Sequence, residues 1–343
     1  MRNLWVDYAK GVGIILVVYG HVARGVYNAK IPLDAFVFST VDSVIYTFHM
    51  PLFFFLSGLF FYESLAKRKW AGFIAGKIDS IVYPYIVWSI LQGSLEVALG
   101  HFTNGNVTIQ DVLSLIWHPR AQFWFLYSLF QVLVLASALY FKRNKYYFFG
   151  ISVLASTGYL LEIGYGRFII VTAILPNFCF FSFGVLYREV GEVLFRHRNK
   201  LLLPLLAACL WGQWYFHVVL DVTHTSSGMS KLLLATASIL CVCTFCQVIS
   251  VMNIPVLSAL GRGSMVIYLA HVLAAAAVRI LLQTFLGVQS PSVHLALGVI
   301  AGLGGPLVLN AIGGRLGLGF LFAVPPALSV ERAYLSRSAG KGL

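Results

Sequence analysis

Ten apolar runs of helical length follow one another along the 343-residue chain and constrain its fold more than any other feature. Their approximate limits are 10–27, 41–62, 79–100, 122–141, 146–162, 168–187, 201–219, 232–251, 263–285 and 294–323. A helix needs about 20 apolar residues to cross the hydrocarbon of a bilayer. The runs do not alternate as barrel strands do, and helices satisfy their own backbone hydrogen bonds in lipid. The sequence therefore predicts an all-α, polytopic transmembrane helical bundle of about ten spans.

The composition agrees with a fold whose solvent is the bilayer. The chain is 59% hydrophobic and 10% charged, whereas soluble domains contain roughly 25% charged residues. The net charge of +12 is carried by short clusters between apolar runs, which argues against nucleic acid as a partner. We expect one integral-membrane domain over residues 1–343 and no separate soluble domain.

The placement of basic residues predicts the orientation of the bundle, because cytoplasmic loops are enriched in Lys and Arg. One side carries Arg2, Lys67, Arg68, Lys69, Lys77, Lys142, Arg143, Lys145, Arg188, Arg196, Arg198, Lys200, Arg262, Arg332, Arg337 and Lys341. The other side carries only Arg24, Lys30, Arg120, Arg167 and Lys231. This difference places both termini in the cytoplasm.

The five cysteines all lie inside apolar runs, at Cys179, Cys209, Cys241, Cys243 and Cys246. Zinc requires a tetrahedral shell of nitrogen and sulfur ligands, and no histidine or acidic residue lies near the closely spaced group 241–246. Free cysteine is a common small apolar residue in packed interiors. We therefore expect neither a metal site nor disulfides.

The first predicted span carries ionisable residues at a spacing that favours a functional site. Lys10 and His21 are eleven positions apart, so they lie on one helix face with a rise of about 16 Å between them. Asp7 lies one turn before Lys10 and can pair with it. Ionisable residues inside a span are costly and often mark a site. The alternatives are a snorkelling lysine and a packed histidine bound to a carbonyl.

The second predicted span places His49 at a similar depth, two residues before Pro51. Because Pro51 cannot donate to the carbonyl of Thr47, we expect a kink beside His49. A freed carbonyl and a histidine at one depth are typical of the wall of a polar cavity. A proline kink that serves packing alone is the alternative.

Four motifs in sequence order resemble the acyltransferase-3 family of bacterial membrane acyltransferases, especially its fucose-4-O-acetylase-like branch. They are a first-span basic residue and histidine with ten intervening residues, followed by the blocks 48–58, 123–127 and 260–271. One departure concerns the Arg-x-x-Arg that often precedes a Pro-Tyr in the third span. Lys77 stands in its first position here, but Ser80 holds the second.

The resemblance implies an acyl-CoA donor, acetyl-CoA above all, at the cytoplasmic side. Lys10, Lys77 and Arg262 are the expected partners of the CoA phosphates. The pantetheine arm would thread the bundle from Lys10 toward His21, and His271 would line this donor channel. His271 bound to a backbone carbonyl is the alternative.

The resemblance also implies chemistry at the two histidines deeper in the bundle. His21 is the expected general base for the acceptor hydroxyl, and a covalent acyl-histidine intermediate is the competing mechanism. His49 would orient the acceptor or stabilise the developing oxyanion.

The implied acceptor is a glycan or lipid-linked oligosaccharide outside the cytoplasm, with exopolysaccharide favoured. Trp124 and Tyr127 would stack on a sugar, and Arg167 would bind an acceptor anion; interfacial anchoring is the alternative for all three. The expected location is the bacterial inner membrane, with lipids and polysaccharide-assembly proteins as partners.

Two other classes of protein share some of these features. A transporter or flippase of a glycan or lipid-linked sugar also uses buried ionisable residues and kinked helices. The sequence has no detectable inverted repeat and no row of intramembrane carboxylates to support it. A non-catalytic scaffold would leave the alignment of Lys10 with His21 unexplained.

Overall fold

The computed structural model of the protein describes residues 3–100, 107–162 and 169–339, which fold into helices without a β-strand. The α-helices are α1 (Leu4–Asn28), α2 (Ala35–Gly58), α3 (Phe61–Lys77), α4 (Tyr83–Ala98), α5 (Ile109–Leu113), α6 (Trp124–Leu139), α7 (Lys145–Leu160), α8 (Ile169–Arg196), α9 (Arg198–Trp214), α10 (Met229–Ile249), α11 (Pro255–Arg262), α12 (Ser264–Ile280), α13 (Pro291–Arg315) and α14 (Val330–Ala339). Single π-helical turns over Ile78–Val82, Tyr215–Val219 and Leu281–Phe285 extend α3, α9 and α12. The all-α prediction is confirmed for the described part of the chain.

Seven helical segments in the described ranges are long and apolar enough to cross a bilayer. They are Leu4–Asn28, Phe61–Ala98, Ile109–Leu139, Arg198–Val219, Met229–Met252, Ser264–Phe285 and Pro291–Arg315. The remaining three predicted spans coincide with α2, α7 and α8. Of these, α7 has 16 residues, a rise of about 24 Å against about 30 Å of hydrocarbon. The count of ten spans and the cytoplasmic termini stay predictions.

Helix α1 lies at the centre of the described bundle, where it packs on α2, α10, α11, α12 and α13. Its crossing with α11 is close because Gly261 has no Cβ to separate α11 from the α1 backbone at Asp7. In the same way, Gly184 of α8 lies directly against the α2 backbone at Phe55. Small residues at crossings allow helices in membranes to approach closely, and these contacts fix the faces that α1 and α2 turn toward each other.

The short helix α14 closes one end of the bundle. This is the end at which α1 begins and α2 ends, and it is called here the basic end. The buried carboxylate of Asp79 accepts hydrogen bonds from Ser329 Oγ at 2.6 Å, Val330 N at 2.9 Å and Glu331 N at 3.1 Å. These bonds satisfy donors at the start of α14, where a negative charge is favourable. Arg68 of α3 also pairs with Glu331 at 2.9 Å.

Candidate functional site: a histidine cavity

Three histidines from different helices share one hydrogen-bonding geometry. In His21 of α1, His49 of α2 and His271 of α12, Nδ1 lies 2.8–3.0 Å from a carbonyl oxygen of the same helix. Because a carbonyl oxygen only accepts, Nδ1 is assigned the hydrogen in each ring. In the neutral imidazole, Nε2 is then the nitrogen with a free lone pair.

The same three rings lie close together inside the bundle. The centroids of His21 and His271 are 4.9 Å apart in an edge-to-face arrangement. The ring of Tyr46 lies 4.4 Å from His49 and 6.4 Å from His21, so it bridges the two. The Nε2 atoms of His49 and His271 are buried and have no hydrogen-bond partner among the described residues. The arrangement therefore offers several proton acceptors within a small buried volume.

A cavity of about 350 Å³ borders the rings of His21 and His49 and is called here the histidine cavity. His21, Tyr46, His49, Gln122, Trp124 and Tyr268 are among its lining residues. A second cavity of about 540 Å³ meets it at His21 and Glu96 and is lined mainly by aliphatic side chains of α1, α4 and α12. His21 thus stands at the boundary between a polar space and an apolar one.

An ion pair frames the histidine cavity at the side away from the basic end. Arg24 donates to both carboxylate oxygens of Asp42, at 2.7 and 2.8 Å, and so joins α1 to α2. The Arg24 guanidinium lies 3.4 Å above the centre of the Tyr46 ring, which is a cation–π geometry. Asp42 is 9% exposed, so the carboxylate of this pair is largely withdrawn from solvent.

His224, in the loop between α9 and α10, lies beside the ion pair of Arg24 with Asp42. The Arg24 guanidinium lies 3.5 Å from Nε2 of His224, and the His224 backbone N–H donates to Ser43 Oγ at 2.8 Å. Burial lowers the pKa of His224; the charge of Asp42 opposes this effect, and the charge of Arg24 adds to it. The ring is therefore neutral at physiological pH.

Two carboxamides and a second ion pair form the opposite wall of the histidine cavity. Gln92 of α4 and Gln122 exchange hydrogen bonds, at 2.6 and 3.3 Å. Gln92 also donates to Glu96 at 2.8 Å, and Glu96 pairs with Arg120. Tyr268 donates to the backbone carbonyl of Gln122. This connected network holds the wall of the cavity in one arrangement.

The predicted donor-binding cations lie toward the basic end. Lys77 is surrounded by the charges of Arg68, Lys10 and Glu331. Arg262, at the end of α11, donates to Ser258 Oγ one turn earlier in the same helix. Asp7 is buried where α11 crosses α1. These positions agree with an anion-binding mouth, whose function stays a prediction.

The face of α1 between Lys10 and His21 is closely packed. Ile14 and Val17 lie between Lys10 and His21 on the same face of α1, and neither has any exposed surface. Aliphatic packing therefore fills this face of α1 in this structure, and the path of the donor arm from Lys10 toward His21 stays a prediction. An arm that reaches His21 along this face must displace that packing.

The structure also revises the placement of other predicted site residues. His271 lies against His21 itself and not along a channel between the donor mouth and His21. Trp124 lines the histidine cavity, whereas Tyr127 packs beside Tyr85, with ring centroids 5.8 Å apart. Arg167 lies outside the described residues.

The sequence reasoning missed most of the polar residues that frame the cavity: Arg24, Asp42, Tyr46, Gln92, Glu96 and Gln122. One usable signal was the spacing of Asp42, Tyr46 and His49, which places all three on one face of α2. The pairing of Asp42 with Arg24 required knowledge of how α1 and α2 pack.

The cysteines form no part of this site. All five are free thiols, and the group 241–246 lies within α10. Among the described residues, no cluster of three or more histidine, cysteine or acidic side chains has the proximity needed to hold a metal ion.

Comparison with known proteins gives the chain a family. Over 245 residues it is 25% identical to nodulation protein NolL of Sinorhizobium fredii, covering 68% of this chain and 64% of that protein. Over 138 residues it is 29% identical to nodulation protein NolL of Mesorhizobium japonicum, covering 40% and 36%. The matched regions thus span less than two thirds of either relative. No solved structure is significantly similar to the chain. The sequence profile of the acyltransferase-3 family, described as an acyltransferase domain, matches residues 3–311, and the protein therefore belongs to this family.

Proposed function

We propose that this protein is a membrane O-acetyltransferase that moves an acetyl group from acetyl-CoA to a sugar hydroxyl of an extracytoplasmic or lipid-linked glycan. The observation that carries the proposal is that His21 and His49 line one cavity, with His271 in edge contact with His21, in a chain of an acyltransferase family. A hydroxyl must lose its proton to attack a thioester, and an imidazole with a free Nε2 is a suitable base near neutral pH.

In the proposed reaction, the acceptor oxygen attacks the thioester carbonyl carbon while His21 Nε2 takes the hydroxyl proton. The tetrahedral intermediate collapses, the carbon–sulfur bond breaks, and the proton passes from His21 to the departing CoA thiolate. Attack by His21 Nε2 on the thioester would instead form an acyl-imidazole, which the acceptor then resolves. Both reaction routes balance in atoms and electrons without a metal or a redox partner.

The tautomer assignments divide the supporting roles within this proposal. His49 donates through Nδ1 to the Ile45 carbonyl, so its neutral Nε2 accepts and is suited to orienting the acceptor hydroxyl. It is unsuited to stabilising an oxyanion, which needs a donor. The Tyr46 hydroxyl is buried and has no partner among the described residues, so it is the proposed oxyanion donor. His271, in edge contact with His21, would hold that ring in position.

Donor and acceptor are proposed to approach from opposite ends of the bundle. The CoA phosphates would be held at the basic end by Lys10, Lys77 and Arg262. We place this end on the cytoplasmic side of a bacterial inner membrane. Trp124 would stack on the acceptor sugar at the cavity. An exopolysaccharide or another exported glycan, such as one connected with the nodulation role in the relatives' names, is the proposed acceptor class, and polysaccharide-assembly proteins are the proposed partners.

The test uses purified protein in nanodiscs, radiolabelled acetyl-CoA and a panel of lipid-linked sugars. His21→Ala should reduce transfer at least about 100-fold, in line with loss of a general base. His197→Ala is the matched control, because His197 makes the same Nδ1 bond to its own helix, at 2.9 Å from Val193 O, but is exposed.

The outcomes separate the enzyme from a carrier. Transfer that disappears in His21→Ala and persists in His197→Ala supports the enzyme. Equal transfer in His21→Ala and the wild type refutes the assigned base. Movement of a sugar across the membrane of proteoliposomes that contain the same protein, without acetylated product, supports the transporter instead. An acetyl label on the wild-type protein that hydroxylamine or mild acid releases, and that is absent from His21→Ala, distinguishes the acyl-histidine mechanism.

A further inference from the structure

A cavity separate from the histidine cavity opens at the basic end of the bundle. It has a volume of about 540 Å³. The start of α1, the end of α2 and the last turns of α8 and α10 surround it. Its aromatic lining consists of Trp5, Phe60, Tyr187 and Phe195. The rings of Trp5 and Tyr187 meet edge to face, 6.5 Å between centroids. We call this space the arginine cavity, after its charged rim.

Three arginines supply that rim. Arg188, Arg196 and Arg198 all line the cavity. Arg188 pairs with Glu63 at 2.7 Å, and the carboxylate of Glu192 also lies at the rim. Even with both carboxylates counted, the rim keeps an excess of positive charge, which favours an anionic ligand.

The side chain of Arg198 is held in place but incompletely satisfied. Its guanidinium lies 4.5 Å from the centre of the Phe195 ring and donates to the Phe195 carbonyl at 3.1 Å. Its Nε is buried without an acceptor among the described residues. An unsatisfied buried N–H of a charged group is costly, and a phosphate oxygen would satisfy it.

A buried carboxamide supplies a second unsatisfied group. Gln247 of α10 lines the cavity and is 2% exposed. Its Nε2 donates to the Tyr187 hydroxyl at 2.9 Å, and Oε1 is the other polar atom of the amide. Oε1 has no partner among the described residues. The cavity therefore combines cations for an anion with one acceptor that requires a hydrogen-bond donor.

The arginine cavity lies away from the proposed donor path. Trp5 is sixteen residues before His21, which places it about 160° round α1 from the face that carries Lys10 and His21. The cavity is flanked by apolar side chains that face outward from α8, with Val190 42% and Val193 63% exposed. Exposed aliphatic residues beside a basic rim at the end of apolar helices are typical of the lipid headgroup region.

We propose that the arginine cavity binds the headgroup of an anionic phospholipid that carries hydroxyl groups, such as phosphatidylglycerol. The phosphate contacts Arg196 and Arg198, and a headgroup hydroxyl donates to Gln247 Oε1. The bound lipid bridges α1, α8 and α10 at their ends. The proposal does not depend on acetyl transfer, because its readout is lipid binding.

The test compares lipid binding by the full-length protein in detergent, measured by native mass spectrometry. The wild type is titrated with phosphatidylglycerol, phosphatidylethanolamine, phosphatidylmethanol and ADP. Arg196→Ala combined with Arg198→Ala should weaken phosphatidylglycerol binding at least about tenfold, since each charge-assisted bond is substantial. The control is Arg332→Ala with Arg337→Ala, two exposed arginines of α14 that do not line the cavity.

A second variant tests the carboxamide specifically. Gln247→Met keeps the length of the side chain and removes the acceptor. It should weaken phosphatidylglycerol binding several-fold and leave binding of phosphatidylmethanol, an anionic phospholipid without a headgroup hydroxyl, unchanged. The proposal is overturned if phosphatidylethanolamine binds as tightly as phosphatidylglycerol, if the double arginine variant binds like its control, or if ADP is the ligand whose binding the variants reduce.

Discussion

The ion pair between Arg24 and Asp42 is the strongest candidate for the element that holds the histidine cavity together. Two hydrogen bonds to a charged group, at about 1.5–3 kcal/mol each, would contribute about 3–6 kcal/mol in full burial. Asp42 is 9% exposed, but Arg24 is 36% exposed, and solvent screens the more accessible partner. We therefore expect a coupling free energy of about 2 kcal/mol, above the roughly 0.6 kcal/mol typical of neutral interhelical hydrogen bonds.

A double-mutant cycle measures this coupling directly. Arg24→Gln, Asp42→Asn and the double variant are unfolded reversibly in mixed micelles, and the free energies of unfolding are compared. The double variant should lose about 2 kcal/mol less than the sum of the single losses, a factor of about 30 in the unfolding equilibrium. The matched control is the pair of Arg143 with Glu189, in which the arginine is 54% exposed and the coupling should stay below about 1 kcal/mol.

Two results would refute this reasoning. One is a coupling between Arg24 and Asp42 no larger than that of the control pair. The other is full acetyl transfer by Asp42→Asn despite a coupling of about 2 kcal/mol. The second result would show that the pair stabilises the helices without positioning Tyr46, whose ring lies directly beneath the guanidinium.

Three further predictions concern other parts of the molecule. Burial lowers the pKa of His224, with a contribution from the charge of Arg24, so its stabilisation is complete above the ordinary pKa of about 6.5 and is lost as the pH falls below it. His224→Gln should therefore flatten the decline in melting temperature on acidification, and an unchanged slope contradicts this. Gly184→Leu forces a side chain against the α2 backbone and should cost about 1–3 kcal/mol of unfolding free energy or more. Gly158→Leu, where a Cβ meets nothing within 4 Å, should cost far less, and equal losses would refute the crossing argument. Asp79→Ala removes three bonds at the start of α14 and should speed limited proteolysis of that helix about tenfold or more; an unchanged rate would show that α14 is held elsewhere.

Hydropathy predicted the helical class well and the helix limits less well. The first span was predicted over 10–27, whereas α1 begins at Leu4, because its first turns, which contain the charged Asp7, pack against α11. The span predicted from residue 79 begins in the π-helical turn Ile78–Val82, which joins α4 to the end of α3. The backbone inside α3 leaves helical geometry at Lys69, with φ 57° and ψ 169°, and hydropathy carries no signal for such a kink.

In the candidate site, the sequence predicts which residues share one face of a helix, but it does not predict the contacts between residues of different helices. Periodicity places Lys10 with His21, and Asp42 with His49, because residues on one helix keep a fixed geometry. It says nothing about which way α1, α2 and α12 turn toward each other, so the contact of His21 with His271 could not be predicted. The rotation of each helix is set by close crossings such as that of Gly261 over Asp7. The same limit applies to the predicted donor path: Ile14 and Val17 occupy the predicted face, but their burial depends on neighbouring helices. A shared face is therefore a necessary condition for a path along a helix, and the packing against that face decides whether the path is open.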